Sequence, residues 1–123
     1  MELGLLPSVD QAFDAELAQA RRWLAGGDLA QAFAHLERAH ILGQRDTLRH
    51  VRVHGLMLRV GWLRRDLREI LGQSLRVVAA LAVSRIWVPL GNTGGADVSA
   101  LRPMPLPVDL AAILAEERRL ARP

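Results

Sequence analysis

The chain has 123 residues, half of them hydrophobic, which suits one domain with a core of its own. All sixteen basic residues are arginine, set against thirteen acidic ones, so the net charge is only +3; the pI of about 11.2 reflects guanidinium basicity and is weak support for a nucleic-acid partner. There is no cysteine, which excludes disulfides, thiolate catalysis and cysteine-based zinc or iron–sulfur centres.

The first residues, Met1 to Pro7, are too short and lack the basic start of a signal peptide. No apolar run reaches membrane-spanning length. The expectation is a cytoplasmic protein with no membrane partner. Leu and Ala dominate and aromatics are scarce, which favours helix over sheet.

In chain order, Ser8 with Gln11 three residues on reads as a capping box opening a helix from Val9 to Leu24. Val9, Phe13, Leu17, Ala20 and Leu24 form its apolar stripe, and Gly26-Gly27 ends it. Asp28 caps a second helix, Leu29 to Leu42, stopped by Gly43. Asp46 caps a third, to about Val60, closed by Gly61. A fourth starts near Arg64 or Asp66 and runs toward Trp87, with a bend at Gly72, until Pro89 ends it. A last helix spans Val108 to Leu120. Gly27 and Gly61 lie 61 − 27 = 34 residues apart, each between two helices. That is the period of tetratricopeptide repeats, although two units are too few for a solenoid groove.

Residues 88–107 form the odd segment, VPLGNTGGADVSALRPMPLP. A connection this long without regular structure is functional or disordered. Its low charge and its Leu90, Val98, Leu101, Met104 and Leu106 favour an ordered strap across the helices. Its glycines would let backbone approach a neighbour closely.

The third helix carries the chemical signal. At about 100° per residue, Arg45, Arg49, Arg52 and Arg59 share one side, and His50, Val53, His54 and Met57 share the other. Arginines prefer water, so the histidines face inward. On the second helix His40 shares the face of Leu29, Phe33 and Leu36, whereas His35 falls opposite and is excluded from the site. Glu37 lies at the edge of the inner face. Pairing the two helices about a turn near Gln44 and Arg45 puts His40 close to His50, and Glu37 close to Val53 or His54.

Histidines four residues apart on a helix reach one ion, and a carboxylate adds charge balance. His40, His50, His54 and Glu37 are therefore the candidate metal ligands, with Glu37 also a candidate general base. The set suits Zn²⁺, or Fe²⁺ and Mn²⁺ with open positions. Glu16 and Glu69, at the edges of their own inner faces, are possible additions, and Met57 reads as core filler. The competing reading is a buried polar network, since each inward histidine needs a partner. The arginine face is a solvated helix side in preference to a nucleic-acid site. GNTGG (91–95) lacks the Lys and the following helix of a phosphate loop.

HLERAHILGQ (35–44), RHVRVHGLMLRVGW (49–62), PLGNTGGADVS (89–99) and RPMPLPVDL (102–110) together resemble a family of short bacterial proteins catalogued as a domain of unknown function. The resemblance covers about Gln11 to Leu114 and implies a bacterial source and a stand-alone small domain. It implies no reaction, so no catalytic residue is carried over. The expected fold is all-α: two stacked antiparallel helical hairpins of tetratricopeptide-like geometry, an irregular strap and a C-terminal helix, in a single domain over 1–123. The expected function is a small metal-binding protein or metalloenzyme, with a helical protein-interaction module built on structural histidines as the alternative. Whether it is an enzyme, and whether it forms homo-oligomers, stays open at this point.

Overall fold

The computed structural model describes residues 5–83, 89–99 and 101–123. Five helices follow in order: α1 (Val9–Ala25), α2 (Leu29–Gly43), α3 (Thr47–Arg64), α4 (Leu67–Val83) and α5 (Val108–Ala121). Among the described residues there is no strand, and no helix is long and apolar enough to cross a membrane.

The starts of the first four helices follow from side chains that accept the orphan N–H groups of a first turn. Ser8 Oγ accepts from the Gln11 amide at 3.1 Å while Gln11 Oε1 accepts from the Ser8 amide at 3.0 Å, completing the capping box. Asp28, Asp46 and Asp66 each accept from the amide three residues on, at 3.1 Å.

α1 ends at Gly26 and α2 at Gly43 as the sequence indicates, whereas α3 and α4 differ from expectation at Gly61 and Gly72, for one shared reason. Gly43 closes α2 from inside, and Gly61 lies within α3, which runs on to Arg64 and ends at Arg65 in the left-handed region at φ 55°. α4 passes through Gly72 as one helix. At Gly43 and Gly72 a neighbour comes too close for a Cβ, and at Gly61 one leaves only a tight fit. An added Cβ would sit 2.6 Å from the Phe13 ring at Gly43, 3.0 Å from Glu69 Cβ at Gly61, and 2.7 Å from Ala96 Cβ at Gly72. These glycines are points of close approach between elements; the chain turns at Gly43, whose carbonyl accepts from the Asp46 amide at 3.0 Å, but not at Gly61 or Gly72. The expected end of the fourth helix at Trp87 lies outside the described residues.

α1 packs along α2, and α3 along α4, giving two hairpins; α2 and α3 stack them together, and α5 touches α1 and α2. One hydrophobic core joins Phe13 and Leu17 of α1, Leu36 and Ala39 of α2, Val53, Met57 and Val60 of α3, and Leu110 and Ile113 of α5. Met57 is fully buried in it. Residues 89–99 and 101–107 are irregular. They are pinned by Asn92, whose Nδ2 donates to the carbonyls of Ser99 and Arg102 at 2.6 and 2.7 Å, and by the Met104 amide, which donates to the Leu90 carbonyl at 3.0 Å. Arg76 of α4 holds the same segment through Nη2 to the Val98 carbonyl at 2.7 Å.

Candidate metal centre

The α2–α3 hairpin brings His40, His50 and His54 into one buried layer, with 3, 9 and 2 % of their surface exposed. His40 Nε2 lies 3.1 Å from His50 Nε2 and 3.1 Å from His54 Nε2. The ring centroids are 4.7–4.9 Å apart in all three pairs, and one ring nitrogen from each lies within 4.8 Å of the others. Three imidazoles therefore turn their nitrogens toward one point, an arrangement compatible with a metal ion.

The outer nitrogens are held from elsewhere. His40 Nδ1–H donates to the Asn92 carbonyl at 2.7 Å. His54 Nδ1 meets Gln73 Oε1. The direction of that bond follows from the other end of the amide: Gln73 Nε2 donates to Glu69 Oε1 at 2.6 Å and to the Gly94 carbonyl at 2.7 Å. Both partners only accept, so the nitrogen must face them and the oxygen must face His54. Glu69 is anchored in turn by the Ala96 amide, at 3.1 and 3.2 Å from its two oxygens. The chain Glu69–Gln73–His54 thus fixes one imidazole tautomer and the Asn92 carbonyl fixes another, the way surroundings orient metal-binding histidines. Among the described residues His50 Nδ1 has no hydrogen-bond partner, although it is buried.

Strap backbone covers the layer. Gly94, at φ +83°, lies so close to His40 that an added Cβ would stand 2.5 Å from the ring's Cδ2 and 2.8 Å from its Nε2.

Burial pushes all three imidazoles toward the neutral form. His40 falls well below the ordinary histidine range through desolvation and the neighbouring His54 and His50. His50 is lowered to about 4 by desolvation, and His54 to about 4 by desolvation and by His50, against the opposing Gln73 hydrogen bond. Between pH 6.5 and about 4 the unfolded chain takes up protons at these groups that the folded chain refuses. The contribution is complete above about 6.5 and is lost as pH falls toward 4. Metal-free protein should therefore melt progressively lower between pH 7 and 4.5, and His50→Ala should flatten that slope; a slope unchanged in the variant would mean that His50 is not held neutral.

The other residues singled out by sequence fall as follows. Glu37 is half-buried beside Thr93 and outside the tight cluster. Its carboxyl is raised by burial and by Asp97 and Glu69, against Thr93 and Arg64. Glu16 is committed elsewhere, to His35 Nδ1 and Arg38 Nε at 2.7 Å each, and does not join the histidines. His35 is away from the layer, as the helical wheel requires, but it is paired with Glu16 and is not a free surface group. Of the arginine face, Arg45, Arg52 and Arg59 are exposed, while Arg49 pairs with Asp10 at 2.6 Å and stacks over Phe13. Sequence reasoning missed Gln73 and Asn92. Gln73 had a signal: it is a polar residue on the side of α4 that carries Ile70 and Ala80, one turn after Glu69. Asn92 had none.

No curated protein and no solved structure matches the chain. A family model described as "Protein of unknown function (DUF3703)" matches residues 7–114, and the chain belongs to that family.

Proposed function

We propose that the protein binds one divalent transition-metal ion through Nε2 of His40, His50 and His54. One observation carries this. The protons of His40 and His54 are both committed at Nδ1, so their Nε2 lone pairs face each other 3.1 Å apart. A neutral histidine network leaves that contact repulsive, because His50 has a single Nε2 proton for the whole centre. A proton added there is opposed by the burial that lowers His50 and His54 to about 4. A metal ion turns all three lone pairs into bonds. Tetrahedral Zn²⁺ at the usual Zn–N length of about 2.0–2.1 Å spaces its nitrogens by about 3.3 Å, close to the two 3.1 Å separations at His40 Nε2.

Three neutral nitrogens favour Zn²⁺ or Fe²⁺ over Mn²⁺, which prefers oxygen. Three protein ligands leave a fourth position for Glu37 or water, and water there would make Glu37 the candidate general base of a metalloenzyme. The competing reading, an interaction module with structural histidines, leaves the lone-pair contact unanswered.

Elemental analysis of protein purified without a histidine tag tests the proposal. About one metal ion per chain is expected, lost in His50→Ala/His54→Ala. Metal-free wild type that also shows no thermal shift with Zn²⁺, Fe²⁺, Mn²⁺ or Cu²⁺ would sink it.

A further inference from the structure

α4 has a buried side and an exposed apolar side. Its inner side, with Gln73 and Ala80, is buried. Its outer side carries Leu67, Leu71, Leu75, Val78 and Leu81 at 67, 57, 73, 66 and 61 % exposure. Their spacing of three and four residues makes one continuous stripe. From Val77 to Val83 there is no charged residue. Contiguous exposed apolar surface marks an interaction face. Trp62 and Leu63, 70 and 51 % exposed at the α3–α4 turn, extend the face at one end.

We propose that a second copy of the chain docks here, α4 against α4, antiparallel about a two-fold axis between Ser74 and Leu75. Three features favour a second copy. The stripe with Trp62 and Leu63 exposes on the order of 800 Å² of mainly apolar surface, about what each partner of a stable interface buries. The antiparallel register is self-complementary: Leu67 of one copy faces Ala82 of the other, Leu71 faces Val78 and Leu75 faces Ser74, so these large residues meet smaller ones, while Leu81 faces the aliphatic stem of Arg68. Charge selects the same orientation. Arg68 is the exposed charge on α4, and antiparallel pairing sets the two copies of it roughly 20 Å apart along the axis, beyond the screening length of about 8 Å. Parallel pairing would bring Arg68, Arg64 and Arg65 of both copies together.

The proposal is independent of metal binding, and solution mass tests it directly. Sedimentation or light scattering across micromolar concentrations should give twice 13.6 kDa. Leu71→Glu/Leu75→Glu should give a monomer with unchanged helical circular dichroism. The chain has no cysteine, so Ser74→Cys should form a covalent dimer on mild oxidation and Arg68→Cys should not. A wild type that is monomeric throughout, a dimer that survives the double Glu variant, or crosslinking through Arg68→Cys in place of Ser74→Cys would each overturn it. So would monomeric wild type that binds lipid vesicles through this face.

Discussion

Adding Zn²⁺ to the metal-free protein should raise its Tm by more than about 10 °C. A ligand that binds only the folded state, at a free concentration about 1,000-fold above its Kd, adds about 4 kcal/mol of stability. For a domain of this size each kcal/mol moves Tm by roughly 3–6 °C. The shift, measured as the difference between metal-loaded and metal-free samples of one variant, cancels any damage a substitution does to the apo fold. His50→Ala/His54→Ala should abolish it. Gln73→Leu should only weaken it, because the ligands survive while His54 loses the amide that orients its ring. Loss of such a partner costs about 10–100-fold in metal affinity. A shift of equal size in wild type and the double variant would assign the metal effect to some other part of the chain.

The histidine layer was legible in the sequence because helical phase is a local property. The arginines of α3 choose the solvent side, and His50 and His54 then have to face in; the apolar residues of α2 do the same for His40. The hairpin register followed from capping residues that the structure bears out at Asp28 and Asp46. Gly61 and Gly72 were misread for a physical reason. A glycine inside a helical pattern signals either a stop or a close neighbour, and the two look alike until the neighbour is known. Glu69 and Ala96 are the neighbours here, each from another element of the fold. The partners of the histidines divide in the same way. Gln73 belongs to a helix face and could have been found by phase. Asn92 offers its backbone carbonyl from an irregular segment, and no periodicity says where that segment passes.

Gly94→Ala should cost about 2–5 kcal/mol and at least about tenfold in metal affinity, by two separable effects. The first is conformational: φ is +83°, where an L-residue pays about 1–2 kcal/mol. The second is steric. The added methyl would stand 2.5 Å from His40 Cδ2, 2.7 Å from Cγ and 2.8 Å from Nε2. The ring cannot simply retreat, since its Nδ1 is held by Asn92 and its Nε2 faces two other imidazoles. Overpacking of this kind costs about 1–3 kcal/mol more, and the displacement falls on the nitrogen proposed to bind the metal. Gly27 supplies the control, because it has the same φ of +83° with nothing within 4 Å of an added Cβ. Gly27→Ala should therefore carry the conformational cost alone and leave metal affinity unchanged. Denaturant midpoints and a metal titration on the two variants separate the effects. Equal destabilisation by both, with wild-type metal affinity in each, would mean that the strap's closeness to His40 has no bearing on the centre.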